Sequence, residues 1–180
     1  AIFAAVLAPQ DAFDPAALNL LDAYTKPGEA GMGSNTVYLL GTDNQGRDLF
    51  SAILYGSRVS LFVGFSSVAF SVVMGVGLGL LAGYVGGRTD AVIMRVADIQ
   101  LSFPAILIAL LFFGVARGLI PPSQHEQMAI WVLIVAIGLS NWAQYARTVR
   151  GSTMVERNKE YVQAARVMGR PPLFIMARHI

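Results

Sequence analysis

Glu160, Gln163, Arg166 and Arg170 recur at three- to four-residue spacing near the end of the chain, so a helix gathers them near one face. Tyr161, Ala165 and Met168 fall on another face, which makes the segment amphipathic. The chemistry of such a set is recognition: charge for a partner, apolar surface for packing. Gly169 stops the helix, because glycine takes the left-handed cap conformation that other residues resist. Pro171 and Pro172 then open a second helix in which Leu173, Phe174 and Met176 are apolar. From Met154 to Ile180 the pattern is helix, sharp turn, helix, with the small residues Ala164 and Ala165 where another surface can approach closely. By pattern alone this is either a surface hairpin or a docking element.

Bond-making chemistry finds no support. No nucleophile stands with a base and an orienting group, and the acids form no catalytic pair. Cysteine is absent, and the only histidines are His125 and His179, so neither a thiolate site nor a histidine cluster is available to a metal. The string Gly75-Val76-Gly77-Leu78-Gly79 lacks the later glycine, preceding strand and acidic partner of a dinucleotide loop, and no Walker-type loop occurs. The expectation is a chain that is not an enzyme and needs no cofactor and no nucleic acid.

The elements that position the hairpin are apolar. With 55% hydrophobic and 13% charged residues, the composition exceeds what one soluble core requires, and a bilayer is the natural second solvent. Three stretches lack Asp, Glu, Lys and Arg: Val59–Gly87, Ile99–Ala116 and Gln127–Ala146. Crossing about 30 Å of hydrocarbon takes roughly 20 helical residues, so each is read as a span, the second bent near its start by Phe103-Pro104. Residues 1–8 are apolar but short, and read as the end of an earlier, truncated transmembrane helix. Residues 9–58 form a polar loop rich in Pro, Gly, Asp and Asn. Its last part, Asp48–Tyr55, places Leu49, Phe50, Ile53 and Leu54 on one face, as an interfacial helix or a helix packed on the loop requires.

Orientation follows from the basic residues. Arg88, Arg95 and the seven from Arg147 to Arg178 make nine on one side of these spans, against four (Lys26, Arg47, Arg58 and Arg117) on the other. The positive-inside rule makes 147–180 cytoplasmic and 9–58 extracytoplasmic.

Within the spans, Gly75, Gly79, Gly83 and Gly87 recur every fourth residue and form a helix-packing stripe. Ser140, Asn141 and Gln144 put polar groups on the third span, where they either bond across helices or line a wet pathway, Asn141 and Gln144 being the pathway candidates. Asp98 and Arg95, three apart, are placed to pair with each other.

Two stretches carry a resemblance. Glu160-Tyr161-Val162-Gln163-Ala164-Ala165-Arg166-Val167-Met168-Gly169, with Arg178-His179-Ile180, resembles the cytoplasmic coupling motif, the EAA loop, of ABC-importer permeases. Leu40-Gly41-Thr42-Asp43-Asn44-Gln45-Gly46-Arg47-Asp48, continuing through Tyr55-Gly56-Ser57-Arg58-Val59-Ser60-Leu61, resembles the segment entering the core of the dipeptide/oligopeptide/nickel permeases, on the C-type member of their permease pair. Gly83-Tyr84-Val85-Gly86-Gly87 and Phe103-Pro104 extend the likeness over nearly all of 37–180. Two departures stand out: Gln163 replaces the motif's usual first Glu, and Pro171-Pro172 replaces a small or polar pair.

The resemblance implies an all-α integral membrane protein, an ABC importer type I permease-like transmembrane helix bundle with cytoplasmic coupling helices. Residues 59–180 are then the permease core with three spans, and 154–180 its coupling segment. Glu160, Gln163, Ala164, Ala165 and Gly169 become the residues that meet the ATPases. It further implies a multi-pass place in a bacterial or archaeal inner membrane, a second permease, two cytoplasmic ATPases that hydrolyse ATP, and an external solute-binding protein. The solute is a di- or oligopeptide or a nickel-type solute, and this sequence is a piece of a six-span subunit. The competing reading is a channel or structural membrane bundle whose hairpin merely braces the helices.

Overall fold

The computed structural model describes Ala8, Asp14 and residues 18–180, excluding the side chains of Glu126 and Gln127. All of the truncated helix expected at 1–8 except Ala8 thus lies outside the described residues. The chain divides into two compact units, Ala1–Val63 and Gly64–Ile180. Among the described residues six α-helices carry the fold: α1 Leu49–Val85, α2 Gly87–Leu101, α3 Ala105–Leu119, α4 His125–Glu156, α5 Glu160–Val167 and α6 Pro172–Arg178.

In the first unit the polar segment folds around one carboxylate. Asp22 ends a short 3-10 turn and is fully buried, and it accepts hydrogen bonds from Gly33 N at 2.6 Å and the Tyr38 hydroxyl at 3.1 Å. Burial pushes its pKa up, but hydrogen bonds from Ser34, Gly33 and Tyr38 outweigh that and hold it below the ordinary carboxylate range. Gly31 belongs here because a Cβ would stand 2.5 Å from the Asp22 carboxyl. Asp48 then starts α1 as an N-cap, its carboxylate accepting from Phe50 N at 3.3 Å and Ser51 N at 3.0 Å.

Leu49–Tyr55 is not a separate interfacial helix. No proline lies between Tyr55 and Val59, and Ser57 Oγ donates back to Ile53 O at 2.7 Å instead of capping a new helix, so the helix runs on through Gly56 and these residues form the first two turns of the 37-residue α1. At about 1.5 Å per residue α1 measures roughly 55 Å, well beyond the roughly 30 Å of a hydrocarbon core. It ends where Gly86 and Gly87 take positive φ, +70° and +57°.

The expected second span is broken. Phe103-Pro104 separates α2 from α3 with a bend of 97°, because proline cannot continue the ladder and biases its predecessor away from helix. α3 has 15 residues, about 22 Å, short of the roughly 30 Å of a hydrocarbon core, and α2, turned 97° from it, adds little length in the same direction. Two helices, α1 and most of α4, are each long and apolar enough to cross alone, and the bent pair counts as a third crossing if it is one span.

In the second unit α4 is the spine. α3 packs along it, and near their shared end Phe113, Arg117 and Ile120 line a cavity with Met128, Ala129 and Val132 of α4. α2 packs on its other end, where Ala97, Trp142, Ala143 and Ala146 form a buried cluster. Across the turn at 120–124, His125 Nε2 donates to Ile120 O at 2.8 Å and lies 3.1 Å from Arg117 O, closing carbonyls at the end of α3.

Candidate coupling hairpin and its packing seam

The hairpin begins later than the sequence pattern placed it. Met154 and Val155 are still α4, and Arg157–Lys159 form the turn before α5. At the other end of α5 the backbone closes in a Schellman motif. Arg170 N donates to Ala165 O at 3.2 Å, Gly169 N donates to Arg166 O at 2.9 Å, and Gly169 has φ +73°. A Cβ on Gly169 would meet nothing within 4 Å, so the glycine is required by backbone conformation rather than by space.

The hairpin has its own small core. Val162, Ala165 and Ile175 are buried together, with Tyr84 and Ile180 packed against them. This corrects the reading of Ala165 as an approach surface: it faces inward at 1% exposure. Glu160, Gln163, Ala164 and Gly169 are exposed. The apolar face also shifts, since Val167 and Met168 stand 89% and 70% exposed while the burial falls on Val162. At the start of α5, Glu156 accepts from the Tyr161 hydroxyl and pairs with Lys159 Nζ at 2.9 Å. Contact with that carboxylate raises the pKa of both Tyr161 and Lys159.

Above the hairpin, α1 and α4 close on a seam of small residues. A Cβ on Gly75 would stand 2.5 Å from Tyr145 Cβ, one on Gly79 2.6 Å from Ala146 O, and one on Gly83 2.6 Å from Thr153 Cβ. Gly87 is not in this seam. It opens α2 after the break in α1, and a Cβ there meets nothing within 4 Å. In its place the stripe extends backwards to Ser71 and Ser67, both buried. Ser71 Oγ donates to Gly138 O at 2.7 Å. The four-residue register of small side chains was the signal for these serines, and counting glycines alone missed it.

Polar groups bridge α2 and α4, though not those first singled out. Gln100 Nε2 donates to Leu139 O at 2.5 Å and its Oε1 accepts from Trp142 Nε1 at 2.7 Å. Asn141 Nδ2 donates within its own helix to Ile137 O at 2.8 Å, Ser140 Oγ to Ala136 O at 2.7 Å, and Gln144 is exposed. Asp98 pairs with Arg147 Nη2 at 2.6 Å rather than with Arg95, and Asp90 Oδ2 takes Arg150 Nη2 at 2.6 Å. Among the described residues no group of histidines and acids is placed to hold a metal ion.

Similarity to known proteins follows the same segments. Residues 75–180 match the family model described as the binding-protein-dependent transport system inner membrane component. The dipeptide transport system permease protein of Haemophilus influenzae is 38% identical over 172 residues, 95% of this chain and 55% of the relative. The glutathione transport system permease protein of Pectobacterium atrosepticum is 37% identical over 82% of this chain and 46% of its own length. The oligopeptide transport system permease protein of Bacillus subtilis is 32% identical over 99% of this chain and 53% of its own length. The chain spans about half the length of these curated relatives. With matched residues running from the glycine seam through the whole hairpin, the chain belongs to the family of binding-protein-dependent transport system inner membrane components.

Proposed function

We propose that this chain forms part of the permease subunit of an ABC importer for small peptides, and that its hairpin couples the membrane helices to ATPases. The observation that carries the reading is the hairpin's construction. Val162, Ala165 and Ile175 close on each other, so Glu160, Gln163 and Ala164 are presented outward on a short, rigid unit. The nine-to-four distribution of basic residues supports a cytoplasmic position for that unit. The peptide class is supported by the dipeptide, oligopeptide and glutathione systems among its relatives.

On this reading the pathway is built with a second permease, an external binding protein delivers the solute, and two ATPases hydrolyse ATP while this chain does not. The exposed amide of Gln144 and the half-buried Asn141 are assigned to the pathway face of α4. ATPase closure biases the permease only if the hairpin contacts the ATPases differently in the inward and outward states. The test is a single cysteine, Ala164→Cys, in the full-length subunit cleared of other cysteines and reconstituted with its partners. A cross-link to the ATPase whose yield changes with ATP is expected. Its absence from a complex that takes up peptide would sink the assignment.

A further inference from the structure

The hairpin touches the membrane helices at more than its covalent join to α4. Tyr84, one residue from the end of α1, packs against the hairpin core of Val162, Ala165 and Ile175. Arg166 of α5 lies over the Tyr84 ring with its Cζ 4.7 Å from the centroid. Arg157, in the turn between α4 and α5, donates from Nη1 to Gly83 O at 2.8 Å and also reaches Tyr84 O at 3.4 Å. These carbonyls belong to the last turn of α1, where helix carbonyls lack intrahelical partners and a cation is favoured. One turn further on the chain breaks at Gly86, whose missing Cβ leaves Arg157 Nη1 its place at 3.1 Å. The end of α1 is therefore gripped by the hairpin through a ring and through its carbonyls.

We propose that Tyr84 and Arg157 form a second transmission point, through which a displacement of α5 moves α1 directly rather than only through α4. The inference rests on the coupling role of the hairpin. It adds that Tyr84, half-buried against the hairpin core, is a positioning residue for transport. α4 is tied to α2 by Arg147 and Arg150 and to α1 by the small-residue seam, so a pull on the hairpin alone leaves those contacts in place. The ring of Tyr84 and the guanidinium of Arg166 are the contact that such a pull loads first.

The experiment measures peptide taken up per ATP hydrolysed by the reconstituted complex carrying Tyr84→Leu, Tyr84→Phe, Arg166→Gln or the double variant. Tyr84→Leu is expected to lower this ratio about 2- to 5-fold, the range set by loss of a partly exposed cation–π contact. Tyr84→Phe keeps a ring and should keep the ratio. The double variant should lose no more than the worse single one, because both remove the same contact. An unchanged ratio in an assembled Tyr84→Leu complex, an equal loss in Tyr84→Phe, or additive losses in the double variant would overturn the proposal. Should Tyr84→Leu fail to assemble, Arg166→Gln decides by the same ratio, since its side chain is exposed and its loss leaves the hairpin core intact. The Ala164→Cys cross-link is run on each variant. Loss of ATP-dependent cross-linking in the unsubstituted ring background defeats the coupling role, whereas a retained cross-link with an unchanged ratio defeats only the transmission through Tyr84.

Discussion

α1 and α3 are both apolar helices packed on α4, yet they meet it differently. Along α1 the contact is a run of Ser67, Ser71, Gly75, Gly79 and Gly83, each buried, with α4 backbone or Cβ atoms closer than a new Cβ tolerates at the glycines. Along α3 no residue is fully buried, and Ile106, Leu107, Leu110 and Leu111 are exposed. Hydropathy does not distinguish the two, and in a membrane it has little power to, because lipid tails are as apolar as leucine. Side-chain size does distinguish them. Small residues every four positions bring backbones together, and large branched ones leave a broad surface to lipid or to another helix.

The sharpest way to break this comparison is to put the same side chain on two glycines. Gly79→Leu forces atoms into the space of Ala146 O and Val149 Cβ, 2.6 and 2.9 Å from a bare Cβ, whereas Gly114→Leu on α3 meets nothing within 4 Å. Overpacking costs about 1–3 kcal/mol where neighbours can shift, and more against backbone. The yield of folded full-length subunit in detergent should collapse for Gly79→Leu and hold for Gly114→Leu. Equal losses would mean that the α3 face is itself closed by another span.

A smaller effect is expected where conformation rather than space is at stake. Gly169 holds φ +73° with open surroundings, so Gly169→Val strains the Schellman turn by about 1–2 kcal/mol without a clash. Membrane insertion and seam packing should survive, while peptide uptake and solute-stimulated ATP hydrolysis fall together. Normal uptake by an assembled Gly169→Val complex would leave the segment as a passive brace. Gly169→Ala should fall between the two, with no branched Cβ to add to the strain.

These contrasts also show what the sequence could reveal. The two long apolar helices, the register of Gly75, Gly79 and Gly83 and the stop at Gly169 were legible because each depends on local properties: apolar length, four-residue spacing, and a backbone conformation only glycine takes easily. The readings that misled depended on where a distant or folded-back segment lies. Gly87 shares the register of Gly83 but lies beyond a helix break, which two adjacent glycines at positive φ create. Ala165 is as small as Ala164, and only the fold back of α6 onto α5 determines which of them is covered. Asp98 took Arg147, 49 residues away, over Arg95 on its own helix, because packing of α2 on α4 brings the two together. Phe103-Pro104 announced a bend, but not that it would reach 97° and leave two separate 15-residue helices.

The first unit offers a pH-dependent counterpart to the size-matched seam. Asp22 has its pKa depressed in the folded state, so it stabilises the loop above its unfolded pKa, near 4, and that contribution is lost as pH falls through the lower folded value. Amide exchange at Gly33, whose N–H the carboxylate holds, should therefore accelerate relative to its intrinsic rate, which itself slows over this range, as the pH is lowered from 6 toward ~3. Amides of the α1 seam, whose closure depends on glycine and serine rather than on a carboxylate, should show no such acceleration. Asp22→Asn should flatten the dependence in the loop, and a persisting acid transition in that variant would assign the effect elsewhere.

The smallest expected change is the most discriminating for the seam itself. Ser71 contributes both a small volume and a hydrogen bond, its Oγ donating to Gly138 O at 2.7 Å. Interhelical hydrogen bonds in membranes average only about 0.6 kcal/mol, because the separated helices find other partners for their polar groups. Ser71→Ala keeps the volume and removes the bond, and Gly138 O remains available to the backbone of α4. Its thermal stability in detergent should fall by no more than a degree or two, about what ~0.6 kcal/mol yields in a domain of this size. Ser71→Val replaces the hydroxyl with a methyl and adds a second methyl at a buried position beside α4, and should cost more than Ser71→Ala despite being the more apolar change. Were Ser71→Ala the more damaging of the two, hydrogen bonding rather than side-chain size would hold α1 to α4, and the contrast with α3 would have to be redrawn in terms of polarity.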